Sequence, residues 1–288
     1  GILGILITPS VMLIVMGPVV GVPATDLFAA AVIPGLMLSS LFIAWCLVRC
    51  WLNPALGPAL PPELRPTSKW PVIKDLAIGV VPVVIVILST LGVILMGVAT
   101  PTDAGATGCA ATFVLTVLSG RLTFAKIKAC MRSTLEISSM ILMLVVASNL
   151  FGAVFSRLGS ADFIANALIS LSLPPTLMLI AILLLIFLLG WPLEWVPIVL
   201  IVLPITLPIV QAAGIDIIWF STLVAVMLQT AWLSPPVALS AYFLRGVVPQ
   251  WRLTDIYAGM VQFMVLQVVA VGLLIAFPKL VTWLPSIN

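Results

Sequence analysis

The chain has 288 residues, 63% of them hydrophobic and only 7% charged, and its mean hydropathy is +1.34. That is far more apolar surface than one soluble core can hide, so the chain is an integral membrane protein. Twelve Lys and Arg against nine Asp and Glu, with no His, leave a net charge of +3. The surplus sits in a few loops between apolar runs, which gives nucleic-acid binding no support.

The chain opens on Gly1-Ile-Leu-Gly4, already inside an apolar run, with no initiator Met, basic region or cleavage site, and is expected to be N-terminally truncated. Thr8-Pro9-Ser10 interrupts this first run. Proline removes a backbone donor and opens a helix, and such an opening at membrane depth survives only where it is buried in protein or lines a cavity. Uncharged stretches follow at Leu27–Val48, Leu76–Thr102, Ile137–Ser156, Phe163–Leu193, Trp195–Ile215, Ile217–Leu244 and Ile256–Pro278. Each reaches the roughly 20 residues that cross the hydrocarbon as a helix. Ala104–Gly120 is a little shorter and is also expected to span. No stretch has the alternating polarity of a barrel strand, so the expected fold is all-α.

Residues 53–70 are too rich in proline for a helix and read as a linker between residues 1–52 and 71–288. Thr100-Pro-Thr-Asp103 reads as a helix N-cap rather than a ligand set. Residues 123–136 read either as a helix lying flat at the inner interface or as a solvated basic connector. Gly190-Trp-Pro-Leu-Glu-Trp195 interrupts a long apolar region. It is either the tip of a re-entrant hairpin or an inner loop joining two full spans. Glu194 favours the tip, because a carboxylate between long uncharged stretches is costly in lipid and faces a cavity or a partner. A second proline break follows at Ser234-Pro235-Pro236.

The two breaks continue alike. Pro9 lies 17 residues before Asp26 and Pro235 lies 20 before Asp255, which marks an internal repeat with a small gap. With the linker placed inside, ten of the twelve basic residues also fall inside, leaving only Arg157 and Lys279 outside, as the positive-inside rule requires. The same count runs the two broken helices in opposite directions and puts the C-terminus outside. Inverted repeats with paired broken helices are the sequence pattern of a secondary transporter, with the breaks at its binding site. By that repeat logic about 150 residues precede the first break in the whole protein.

Unwound turns free backbone carbonyls for a hard cation such as sodium, and exposed helix N-termini favour a carboxylate. Thr8, Ser10, Thr230 and Ser234 add hydroxyl oxygens at the breaks. The candidate sodium and substrate residues are therefore Thr8, Pro9, Ser10, Gly190, Glu194, Thr230, Ser234, Pro235 and Pro236. Four Cys without a CxxC pair or any His make a transition-metal site improbable. No phosphate loop, nucleophile-base pair or paired catalytic carboxylates appears, so an enzyme is not expected.

In chain order Gly4–Ser10, Gly97–Ala104, Gly190–Trp195, Pro204–Pro208, Gly214–Asp216 and Leu228–Pro236 resemble the successive motifs of the large membrane (DctM-type) subunit of tripartite ATP-independent periplasmic (TRAP) transporters. Tyr242–Pro249, Asp255–Tyr257 and Phe277–Pro285 are similar to its mannitol/chloroaromatic branch. Three positions depart from the pattern: Thr8 replaces a usual Pro, Ala238 a usual Gly, and Asp103 a common Glu. The resemblance implies a sodium-coupled importer of an organic acid in the bacterial inner membrane, with no cofactor besides the coupling Na+. Its partners would be a small membrane subunit and a periplasmic substrate-binding protein. It further implies an elevator-type transporter, with Gly190–Trp195 as a hairpin tip and the two breaks as unwound segments. The alternatives are an ion channel and a structural or proton-pumping subunit of a membrane energy-converting complex. Few mid-membrane polar residues outside the breaks speak for either.

Overall fold

The structure is a computed structural model that describes residues 4, 6, 10–58, 68–160, 163, 166, 173–235 and 238–287, and structural statements below concern these. They are helical, with no strand among them. Five helices are long and apolar enough to cross a membrane: Ala24–Leu52, Lys69–Gly92, Phe124–Phe151, Trp195–Ala212 and Leu253–Ala276. The expected all-α membrane fold is present. Val11–Val20, Pro175–Leu189 and Ile217–Trp232 are shorter apolar helices.

Two compact units form, one from residues 39–129 and one from residues 1–38 with 130–288. Their boundaries fall inside the helices Ala24–Leu52 and Phe124–Arg157, so they are packing units rather than halves in chain order.

In the smaller unit, Thr100 caps the helix Pro101–Leu118, its hydroxyl accepting from the Asp103 amide at 3.3 Å and donating to the Asp103 carboxylate at 2.6 Å. The Pro-Thr-Asp motif is thus the structural cap expected of it. This helix packs against a π-helical turn, Leu88–Gly92, that interrupts the preceding helix. Thr107 secures the contact by donating to the Ser89 carbonyl at 2.6 Å.

Gly108 lies against the Thr90 methyl, and a Cβ there would overlap it. The Thr90 hydroxyl donates to the Val86 and Ile87 carbonyls, both at 3.0 Å, which holds that methyl in place. Gly108→Ala is therefore expected to destabilise by about 1–3 kcal/mol through overpacking. Thr90→Ser, which removes the methyl and keeps the hydroxyl, should restore the melting temperature of the purified double variant.

Residues 124–157 form one unbroken helix of 34 residues. At 1.5 Å per residue it is about 51 Å long, more than the hydrocarbon needs. Residues 124–136 are thus neither a separate helix lying flat nor a loose connector. They are the polar start of a spanning helix, with Arg132 paired to Glu136 at 2.8 Å. Residues 59–67 of the linker lie outside the described residues, and its start carries a short 3-10 turn, Pro54–Leu56, capped by Asn53.

The larger unit is organised around Ile217–Leu228. Asp216 caps this helix by accepting from the Trp219 amide at 2.7 Å. From Phe220 to Ala231 every residue is buried. A helix apolar on all sides belongs at the centre of its unit, and here Val11–Val20, Pro175–Leu189, Leu203–Ala212 and Leu253–Ala276 pack around it. Inside a bilayer such packing is held by dispersion and shape rather than by escape from water, so the fit of neighbouring side chains carries the cohesion.

Candidate functional site: a hairpin tip against a helix break

The central helix does not end cleanly. After Leu228 it tightens into a 3-10 turn, Gln229–Trp232, and Leu233–Pro235 leave the helical path. A new helix begins at Leu239 and runs to Val247. The second proline break therefore stands where the sequence puts it. Pro235 is exposed on the turn, whereas Thr230 and Ser234 are buried, with 1% and 0% of their surface accessible. Pro236 lies outside the described residues.

The hairpin is built from Pro175–Leu189 and Trp195–Ala212, joined by Gly190–Glu194. Fifteen residues span about 22 Å, short of a full crossing. The second limb contains a π-helical turn, Ile198–Val202, directly after Pro197. Such turns distort the helical path and recur at functional sites. Sequence reading missed it.

The tip meets the break. A Cβ placed on Gly190 would stand 3.4 Å from the Ala231 side chain and 3.3 Å from the carbonyl oxygens of Ile186 and Phe187. Gly190 leaves room for this close approach and takes no unusual backbone angle, since its φ is −63°. Behind it, Trp191 stacks edge-on to Phe187 at 6.0 Å. Two helix C-terminal ends, those of Pro175–Leu189 and of the central helix, thus converge at Gly190 and Ala231. The Ile186, Leu188, Leu189 and Thr230 carbonyls there accept from turn amides, and the aligned helix dipoles leave partial negative charge at both ends, which suits a cation.

Glu194 is half-buried at the start of Trp195–Pro197, and its carboxylate makes no hydrogen bond among the described residues. It does not hold the tip by hydrogen bonds to those residues. Thr230 donates to the Met227 carbonyl at 2.7 Å, leaving its lone pairs free. Ser234 Oγ is enclosed and has no partner among the described residues. An enclosed hydroxyl without a partner costs free energy, and a functional site is one reason to keep it.

The first break is described only from Ser10, because Thr8 and Pro9 lie outside the described residues. Ser10 is buried and caps Val11–Val20 by accepting from the Leu13 amide at 3.3 Å. That helix packs on the π-helical turn Ile198–Val202 and on the central helix, so it belongs to the same unit as the tip and the second break.

Two polar residues of the apolar helices escaped sequence reading as site residues. Gln267, on Leu253–Ala276, donates to the Gln229 side-chain carbonyl at 3.1 Å, and both are buried. An amide within an otherwise apolar stretch, Phe263–Ala276, was the signal that could have found Gln267. At the other end of the same helix pair the Trp219 indole donates to the Leu274 carbonyl at 3.1 Å.

A family model described as "Tripartite ATP-independent periplasmic transporter, DctM component" matches residues 1–280. Similar relatives include the C4-dicarboxylate TRAP transporter large permease protein of Rhodobacter capsulatus, 28% identical, with 100% of this chain and 66% of that protein covered. The sialic acid TRAP transporter large permease protein of Vibrio cholerae is 27% identical, with 99% and 65% covered. The ectoine TRAP transporter large permease protein of Halomonas elongata is 26% identical, with 97% and 64% covered. The chain thus spans about two thirds of the length of these relatives. It is a multi-pass protein of the bacterial inner membrane, a transporter component and not an enzyme, and it belongs to the DctM family of tripartite ATP-independent periplasmic transporters.

Proposed function

We propose that the complete protein takes up an organic acid by sodium-coupled secondary transport, the acid being delivered by a periplasmic binding protein and the permease working beside a small membrane subunit. The observation that carries this reading is the meeting of the hairpin tip with the second break, Gly190 against Ala231, beside the enclosed Ser234 hydroxyl. Two converging helix C-termini, Thr230 and Ser234 supply hard oxygens of the kind sodium takes, without a fixed charge that would hold the ion too tightly to leave. The C4-dicarboxylate and sialic acid relatives support the carboxylate as cargo.

The tip is read as re-entrant, because its first limb is too short for a full crossing and its end lies at the depth of the break. The repeat, with residues 1–52 and 71–288 on either side of the linker, is read as inverted, with the C-terminus in the periplasm and elevator-type movement. The C-terminal run supports the mannitol/chloroaromatic branch. The test is uptake into proteoliposomes by the complete transporter with its binding protein. Replacing the sodium gradient by choline at the same membrane potential should abolish uptake of the labelled acid. Undiminished uptake in choline overturns sodium coupling. Counterflow of labelled acid against a preloaded pool is expected of a carrier and not of a channel.

A further inference from the structure

We propose that Gln229 and Trp232 form the carboxylate-binding part of this site, holding the anion with neutral hydrogen-bond donors only, and that Gln267 orients the Gln229 amide by bonding to it. The inference rests on the reading above, that the cargo is an organic acid bound at the second break.

Gln229 and Gln267 are 1% and 0% accessible, and one hydrogen bond of 3.1 Å joins their amides. With that bond made, Gln229 Nε2 and Gln267 Oε1 have no partner among the described residues. In this orientation the free NH2 belongs to Gln229 and the free carbonyl oxygen to Gln267. Trp232 Nε1 is likewise enclosed and unpartnered among the described residues. In a 3-10 turn residues three apart eclipse one another, so Gln229 and Trp232 rise from the same edge of Gln229–Trp232. An amide NH2 and an indole N–H, both donors, thus stand on one edge of the turn that adjoins the tip.

Leaving such donors unmet at membrane depth costs more than packing alone justifies. Apolar residues at positions 229 and 267 would avoid that cost. A carboxylate meets the need directly, since it is acceptor-only and takes two donors in a fork. Its countercharge has to come from elsewhere. Residues 158–244 and 253–278 hold no Lys or Arg, so no fixed cation lies on the elements that carry these donors. Sodium at the neighbouring helix C-termini supplies the charge instead. Neutral donors suit a carrier, because an Arg pair would bind the acid in a desolvated site tightly enough to slow its release.

The test uses detergent-purified complete transporter and follows thermal stabilisation by succinate, lactate and N-acetylneuraminate, each titrated with and without sodium. The double variant Gln229→Leu/Gln267→Leu replaces both amides by apolar groups of similar size, so the fold is expected to persist. Its stabilisation by sodium should match wild type, while the half-saturating concentration of the acid that stabilises wild type best rises at least tenfold. Trp232→Phe removes one N–H and should raise it about threefold or more; it decides the matter alone if the double variant does not fold. Unchanged half-saturation in the variants overturns the inference. Loss of the sodium effect together with the acid effect also overturns it, by placing the amides in the cation site. No acid stabilising wild type in sodium counts against the carboxylate reading itself.

Discussion

Gly190→Leu is expected to reduce uptake by on the order of a hundredfold, while Gly190→Ala keeps most of it. A Cβ at this position meets two carbonyl oxygens at 3.3 Å and the Ala231 methyl at 3.4 Å, contacts that a shift of a few tenths of an ångström relieves. A leucine branch finds no such room, because Ala231 is buried behind it with 2% of its surface accessible. Overpacking a close contact costs about 1–3 kcal/mol, and the outlet here is displacement of the tip from the break. A displacement of about 1 Å at a binding geometry is enough for a hundredfold loss. Initial rates of labelled-acid uptake, normalised to protein in the membrane, provide the check. Leucine at wild-type rates would mean that the tip takes no part in transport.

Ser234→Ala is expected to weaken sodium binding and leave the fold at least as stable. The hydroxyl is fully buried with no partner among the described residues, so deleting it removes a desolvation cost and stability should stay level or rise by about 1 kcal/mol. Loss of one hard-oxygen ligand should raise the sodium concentration for half-maximal uptake about tenfold, equivalent to ~1.4 kcal/mol. Ser221→Ala is the control. Its hydroxyl is equally buried and unpartnered among the described residues, but it lies thirteen residues earlier on the central helix, about 20 Å from Ser234 if that path were straight helix. It should match Ser234→Ala in stability and leave the sodium response untouched. Identical sodium curves for both variants would remove Ser234 from the cation site.

Much of the fold was legible because membrane helices announce themselves by length and composition. The second break could be placed from Pro235, and the Thr100 cap from its own side-chain chemistry, since each acts within a few residues of itself. The π-helical turns were not legible, because an extra residue in a helical turn leaves no periodicity to read and is fixed by packing across the unit. The meeting of Gly190 with Ala231 was also out of reach. Forty-one residues separate them, and only the folded hairpin brings them together. Gln229 and Gln267 illustrate the same limit: each alone reads as an ordinary helix-contact residue, and their significance comes from what remains unpaired once they have bonded to each other.

Cross-linking of tip to break tests the site most directly. In the complete transporter with Cys46, Cys50, Cys109 and Cys130 replaced by alanine, cysteines are placed at Gly190 and Ala231, whose Cβ positions lie 3.4 Å apart, near the ~3.8 Å that a disulfide spans. The expected result is ready disulfide formation in intact membranes, slowed by sodium together with the transported acid, with uptake lost on oxidation and recovered on reduction. Contradiction would come from a pair that stays reduced under mild oxidant, or from a cross-linked protein that transports at the reduced protein's rate; either outcome separates the tip from the site.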